Sequence, residues 1–336
     1  MNKGKKQNNN LTIAGCITFY CTISISMVFM NKFLLSNSEE KPSPFLMTWI
    51  QILGTVFICW VMGEINKKHE TLIKMPPYEF KLERVKQILP VTLVFISMII
   101  NGNYCLQHVR ASFFMIARSL HILFTVTFSY RLFHIMPSRN VLSACIVVTI
   151  GYIIGNVGEI DFTWKGLIFG VLASIFSAAY PISIKLKLNK PNQKVPLFTK
   201  EELMMYNNSL SAIILIPFLL FTGDLKPEKI RLFLTFQFAG KLFFSIFLSF
   251  LMSFAMVLQI KNVSPLTHMI VGSFKGAIQT ILAGLLWSNK FTGLNLFGNF
   301  LTIFGSFLYS FFTDKEKKEK NNNELPTIVM NKKRDI

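Results

Sequence analysis

Long apolar runs separated by short polar segments dominate this chain of 336 residues. Each run is about 20 residues long, which is the length of an α-helix that crosses the hydrocarbon core of a bilayer. The pattern predicts an all-α polytopic membrane protein with ten transmembrane helices. The predicted spans are 12–35, 44–63, 88–107, 112–133, 140–157, 164–186, 203–222, 239–259, 264–287 and 291–312.

Composition supports this prediction, because 51% of the residues are hydrophobic and only 15% are charged, which excludes a soluble domain of this size. The apolar run from Leu11 to Leu35 is too long for a cleavable signal peptide, so it is predicted to be the first span. Most loop lysines and arginines fall on the side of both termini, which predicts cytosolic termini. The net charge of +18 then reflects topology and a face resting on anionic lipid, and not nucleic-acid binding.

The polar ends of the chain, 1–10 and 313–336, are low in complexity and are predicted to be disordered cytosolic tails. Between them lies the predicted ten-helix domain, 11–312, with halves of roughly 11–160 and 161–312. The five cysteines all fall within spans and show no metal-binding spacing, so neither a metal nor a cofactor is expected.

An internal repeat appears at an offset of 154 positions, where identical residues recur without a gap in the fourth and fifth spans and in the ninth and tenth. Five spans are an odd number, so the second copy enters the membrane from the opposite side. Such 5+5 inverted-topology repeats are typical of transporters, whose substrate lies near the midplane between the halves. Matching pairs include Val109 and Val263, Met115 and Met269, Ser119 and Ser273, Leu132 and Leu286, and Gly151 and Gly305.

Arg118 and Lys275 are the cations closest to the middle of a predicted span, whereas the acids lie in loops, tails or span ends. A cation in hydrocarbon costs between about 2.5 and 17 kcal/mol, so it normally needs an anion or a polar cavity beside it. Two such groups facing one cavity suit a pyrophosphate. The alternative is snorkelling to a headgroup, which is favoured for the cations nearer span ends, Lys32, Arg131, Lys185 and Lys241.

Other polar residues inside spans allow two interpretations. The consecutive Tyr206, Asn207 and Asn208 suit the edge of a nucleobase, and they equally suit hydrogen bonds between helices. His268 contacts either a sugar or a neighbouring helix. The small residues Gly272 and Ser273 allow close approach by a ligand or, more commonly, by another helix.

A membrane enzyme is the alternative from a different class, such as a lipid-linked glycosyl or acyl transferase. It would need a general base or a metal-binding carboxylate near the membrane surface. The sequence contains no DxD motif, no HxxxxD motif and no acid deep in a span. We therefore expect a carrier and not an enzyme.

The ninth-span region contains 258–261 (LQIK), 264–268 (SPLTH), Gly272, Lys275 and 279–280 (QT). This region resembles the GDP-fucose transporters. Less specific matches, shared with related nucleotide-sugar and sugar-phosphate carriers of the drug/metabolite transporter superfamily, are 27–32 (MVFMNK), 118–120 (RSL), 169–174 (FGVLAS) and 206–208 (YNN). Together the resemblance covers nearly all of residues 12–312.

The resemblance implies a Golgi or endoplasmic reticulum carrier that brings GDP-fucose into the lumen in exchange for GMP. In the similar GDP-mannose carriers an aromatic-Tyr-Asn-Asn motif contacts guanine, and it falls here on 206–208, with Met205 in place of the usual Phe. The lysine of 272–275 (GSFK) lies one position earlier than in the mannose carriers, which favours the fucose branch. The same alignment places Tyr20, Ser253 and His268 at cargo-lining positions.

Several alternatives stay open at this stage. GDP-mannose, another nucleotide sugar and a phosphorylated triose remain alternative cargoes, and the sequence does not decide whether the carrier works as a homodimer. The C-terminal run 332–334 (KKR) is close to a dilysine retrieval signal read by coat proteins, and it reads equally well as a solvated basic tail.

Overall fold

Ten α-helices form the fold over the residues that the computed structural model describes, which are 2–36, 43–68, 74–77, 79, 81–108, 119–133, 136–155, 163–188, 197–227, 230–231, 236–287 and 292–332. No strand occurs in these ranges. The helices are α1 (Asn2–Ser36), α2 (Pro44–Asn66), α3 (Leu82–His108), α4 (His121–Phe133), α5 (Arg139–Gly155), α6 (Trp164–Leu188), α7 (Lys200–Phe221), α8 (Phe236–Asn262), α9 (Pro265–Trp287) and α10 (Gly293–Lys332).

Local sequence sets where these helices begin and end. Ser43 caps α2 by accepting a hydrogen bond from the Leu46 backbone N–H at 3.4 Å. Thr199 and Glu202 form a reciprocal capping box at the start of α7, which satisfies two backbone donors that would otherwise lack partners. The same helix ends at Phe221 with Thr222 as its C-cap, and Gly223 follows with a φ of 66°, the left-handed conformation that glycine adopts without a steric penalty.

Seven of the ten helices are long and apolar enough to cross a membrane, judged over the described residues. The chain is therefore a polytopic membrane protein, and each predicted span overlaps one helix. The structure also continues α1 and α10 into the polar ends, 2–10 and 313–332, where the sequence predicts disorder. Lysine and glutamate, which recur in 313–332, are good helix formers. The division into a membrane domain and two tails stays a prediction.

Contacts between helices identify the two opposite ends of the bundle. At one end, Asn262 of α8 contacts Cys16 of α1, with Nδ2 and Sγ 3.6 Å apart. At the same end, Thr267 of α9 shares a hydrogen bond of 2.9 Å with Tyr309 of α10. We call this the terminal end, because α1 begins there. At the opposite end, Asn295 of α10 donates to the Gly155 carbonyl at the end of α5, at 3.0 Å.

The most extensive helix contacts join α5 with α10, α3 with α6, and α1 with α8. Each pair takes one helix from residues 11–160 and one from 161–312, so the core lies between the two halves of the chain. The α5–α10 contact is the closest, because glycines let the two backbones meet: a Cβ built on Gly298 would lie only 2.0 Å from the Gly155 nitrogen.

Candidate functional site

A cavity of about 350 Å³ lies between the two halves. Helix α9 supplies its largest wall, because residues four and seven positions apart share one face of a helix. Other lining residues come from α1, α3, α4, α5, α6 and α8. The cavity is lined by Tyr20, Val28, Met98, His121, Tyr152, Ser177, Tyr180, Pro181, Met252, Met256, His268, Met269, Gly272, Lys275, Gly276, Gln279 and Thr280.

Lys275 carries the positive charge of this cavity. Its Nζ donates a hydrogen bond of 2.6 Å to Ser24 Oγ on α1 and lies 5.6 Å from the centre of the Tyr20 ring. The second contact is within the range of a cation–π interaction. The ammonium thus lies inside the bundle, held between α1 and α9. This placement favours the cavity interpretation of Lys275 over snorkelling.

Two histidines share the cavity with Lys275. The His268 ring nitrogen Nδ1 lies 2.8 Å from Gln259 Oε1, and the His268 ring packs 5.2 Å from the Tyr20 ring. His121 is the position that the repeat relates to Lys275, and it lines the same cavity from α4. Among the described lining residues there is no aspartate or glutamate. The cavity therefore suits an anion.

Arg118, the second predicted phosphate ligand, lies outside the described residues. Described residues resume at Ser119, which is buried. The prediction for the Arg118 guanidinium thus stays a prediction.

A second cavity of about 20 Å³ adjoins the first, and Tyr180 and Met256 line both. The predicted residues Asn207, Asn208 and Ser253 line this smaller cavity. Its remaining walls are apolar and aromatic. The space is that of about one water molecule, and the two amides and the Tyr180 ring face it.

The amide group of Asn207 is oriented by two neighbouring helices. Its Oδ1 accepts a hydrogen bond of 3.0 Å from Thr92 Oγ1 on α3, and its Nδ2 donates to the Tyr180 hydroxyl on α6 at 3.2 Å. Asn208 Nδ2 donates to the Met204 carbonyl one turn earlier, at 2.8 Å. Asn207 therefore makes the interhelical bonds that the sequence left as an alternative, while it also faces the small cavity.

Two predicted site residues do not line either cavity. The Tyr206 hydroxyl donates to the backbone carbonyl of Glu79, in the segment between α2 and α3. Ser273 is buried, and its Oγ donates to the Met269 carbonyl of its own helix at 3.4 Å. Gly272 does line the larger cavity, and a Cβ built there would meet no atom within 4 Å.

Some lining residues were not among the predicted site residues. Gln279 and Thr280 lie four and five positions after Lys275, so the helical period of α9 could have revealed them. Tyr152 packs against Gly276, where an added Cβ would lie 3.1 Å from the tyrosine ring. That contact joins α5 to α9, and no sequence signal indicates it.

Known proteins share the sequence of this chain over most of its length. The model of the Triose-phosphate Transporter family matches residues 11–310. The chain belongs to this family. Its family consists of transporters, which confirms the prediction that the chain is a carrier and not an enzyme.

Individual proteins are similar to this chain over most of its length. GDP-fucose transporter 1 of Dictyostelium discoideum is 37% identical over 89% of this chain and 80% of that protein. The GDP-fucose transporter of Caenorhabditis elegans is 32% identical over 92% of this chain and 85% of that protein. A probable sugar phosphate/phosphate translocator of Arabidopsis thaliana is 24% identical, over 89% of this chain and 82% of that protein.

A solved crystal structure with 11% sequence identity has a TM-score of 0.61, over 90% of this chain and 98% of the other. At this identity the match supports the fold alone. The helical bundle of this triose-phosphate transporter family member is thus shared with an experimentally solved protein.

Proposed function

We propose that this protein carries GDP-fucose across a Golgi membrane in exchange for GMP, by alternating access of the cavity between the two halves. The observation that carries the proposal is a cationic cavity, free of acids over its described lining, beside a second cavity lined by two amides. The named relatives at 37% and 32% identity support the choice of cargo. A relative from Drosophila melanogaster, 29% identical, is named as a Golgi GDP-fucose transporter and supports the compartment.

The inverted repeat has support from the α5–α10 contact. A Cβ on Gly151 would approach Thr302 N at 2.6 Å, and a Cβ on Gly305 would approach Val148 N at 3.0 Å. The offset of 154 positions relates Gly151 to Gly305 and Val148 to Thr302. Each contact is thus the partner of the other, as expected when a two-fold axis passes between two related elements. Helix pairs α3–α6 and α1–α8 are related in the same way.

In the proposed binding mode the diphosphate lies beside Lys275, which neutralises part of its charge. The base points toward the small cavity with Asn207 and Asn208, past Tyr180 and Met256, which line both cavities. Gln279 and Thr280 then provide hydrogen-bonding groups near the remaining space, where sugar hydroxyls would fit. Arg118, three positions before His121 in the sequence, is proposed as the second phosphate ligand. The distribution of positive charge among the loops supports cytosolic termini.

The charge of the cavity supports exchange with GMP. Carrying the Lys275 ammonium through the membrane without a bound anionic solute is costly. A returning nucleotide offsets that cost, so the carrier returns faster with GMP than without it.

Competition for uptake tests the cargo. The purified protein in liposomes loaded with GMP is expected to take up labelled GDP-fucose, and unlabelled GDP-fucose and GMP should inhibit best. UDP-galactose and a triose phosphate should inhibit at least about tenfold more weakly, because each lacks groups that the amide-lined cavity binds. Liposomes without internal GMP are the control and should show much slower uptake. Equal inhibition by UDP-galactose would contradict a guanine subsite, and product formation would indicate an enzyme.

A pair of variants tests the base subsite. Asn208→Ala is expected to raise the apparent KM for GDP-fucose about tenfold, because one hydrogen bond to the base is lost. Tyr206→Phe should stay within about twofold of the parent, because its hydroxyl bonds the Glu79 carbonyl and lies outside both cavities. A stronger loss in Tyr206→Phe than in Asn208→Ala would place the base elsewhere.

A further inference from the structure

The Lys185 ammonium donates hydrogen bonds to three backbone carbonyls at the end of α8 and just after it. Its Nζ donates to the carbonyl oxygens of Ile260 at 3.0 Å, Lys261 at 2.8 Å and Val263 at 2.9 Å. Lys185 lies near the end of α6, whereas these carbonyls belong to the last turn of α8 and the turn before α9. The sequence favoured snorkelling for this lysine, and the structure instead places its ammonium on backbone carbonyls.

These carbonyls are strong partners for a cation. The last four carbonyls of an α-helix lack partners within the helix and carry the negative end of its dipole. An ammonium has three donors, and here all three are used. The contact therefore fastens α6 to α8 and to the start of α9 at the terminal end of the bundle.

The fastened helices also form the larger cavity. Tyr180 and Pro181 of α6, Met256 of α8 and His268 of α9 all line it, within two turns of the Lys185 contact. His268 packs against Tyr20 of α1, and on α1 and α9 these two are the lining residues nearest to the terminal end. Under the proposed alternating access, a solute that enters from the terminal end would pass beside the segments that Lys185 joins.

Helix α6 contains a bending point beside this contact. Pro181 lies inside α6, one turn before Lys185. A proline in a helix lacks the N–H that would bond the carbonyl four residues earlier, so helices bend there at low cost. A bend at Pro181 would displace the last two turns of α6, which carry Lys185 and the buried Ile184 and Leu188.

We propose that Lys185 is a latch: its three carbonyl contacts close the terminal end of the cavity in the state seen here, and they break once in each transport cycle when α6 bends at Pro181. This inference rests on the proposed alternating access, but not on the identity of the cargo. Lys185 acts through α8 and α9 as a positioning residue and does not contact the solute.

Chemical labelling of the cavity tests the latch without a substrate. Gly272→Cys places a thiol in the larger cavity, where the structure leaves space for it. In sealed vesicles with the terminal end outward, a membrane-impermeant maleimide should label this cysteine about tenfold faster when Lys185→Met is added, since charge-assisted hydrogen bonds of the closed state are lost. The parent protein without Gly272→Cys measures background labelling of the natural cysteines.

The direction of the change separates a latch from general loosening. In vesicles of the opposite orientation the same Lys185→Met change should slow labelling, because opening one end closes the other. Lys187→Met removes a charge two positions later on α6 and should change neither rate by more than about twofold. Lys185→Gln removes the charge but still provides hydrogen-bond donors, so its labelling rate should be intermediate. It is the second variant if Lys185→Met folds poorly. Unchanged labelling at the terminal end, or faster labelling from both ends, would overturn the proposal even if GDP-fucose transport is confirmed.

Discussion

Replacement of Lys275 by alanine is expected to reduce GDP-fucose uptake into proteoliposomes at least about 100-fold, because removal of one partner of a buried charge pair leaves the other charge without compensation. Lys275 is the charged side chain among the described residues of the larger cavity, with His121 and His268 as its titratable neighbours. A diphosphate that enters without this ammonium loses its water and one of its two proposed countercharges. Binding of GMP should fall in parallel, since it presents a phosphate to the same place.

Folding of the Lys275→Ala protein should be retained: the change removes the hydrogen bond to Ser24 and the contact with the Tyr20 ring, and alanine is a good helix former. Lys275→Arg keeps the charge and should recover part of the uptake. Lys241→Ala is the matched control: its Nζ lies 4.8 Å from the centre of the Phe33 ring, near the beginning of α8, and outside the cavity lining. Normal uptake by a folded Lys275→Ala protein would remove the phosphate ligand from the proposed mechanism.

Ten helices could be predicted from the sequence, because bilayer thickness fixes helix length and hydrocarbon excludes polar side chains. The face of α9 that lines the cavity could also be predicted in part, since His268, Gly272 and Lys275 follow one helical period. Both predictions depend on interactions that are local in sequence or set by the membrane.

Contacts between distant helices could not be predicted in this way. The orientation of Asn207 depends on Thr92 and Tyr180, which lie on two other helices. An ammonium near a span end is satisfied by headgroups or by backbone carbonyls, so the sequence of α6 alone could not place Lys185 on the end of α8. Tyr206 is similar, because its partner is a backbone carbonyl in a loop, and any residue type there would provide one.

Gly298→Val is expected to prevent the accumulation of folded protein, because Gly298 is where the backbones of α5 and α10 touch. A Cβ at this position would lie 2.0 Å from Gly155 N and 2.4 Å from Gly155 Cα. These are backbone atoms, so a rotamer change cannot relieve the overlap and α10 must move away from α5. Overpacking of this kind costs about 1–3 kcal/mol for a methylene group and more when the backbone must shift.

Displacement of α10 also affects the rest of the contact. Gly151 lies one turn from Gly155, and a Cβ on it would approach Thr302 N at 2.6 Å, so the two helices are close over several turns. Gly298→Ala is expected to fold but to lower the Tm in detergent by about 5 °C or more. Gly151→Val should resemble Gly298→Val, since both side chains would enter the same interface.

The control for these variants is Gly240→Ala on α8, where an added Cβ meets no atom within 4 Å. Alanine is a better helix former than glycine by about 1 kcal/mol, so the Tm of this variant should stay equal to or above that of the parent. The yield of monodisperse protein and the Tm are measured for all four variants and compared with those of the parent. A Gly298→Val protein with the yield and Tm of the parent would show that α5 and α10 do not meet at this residue.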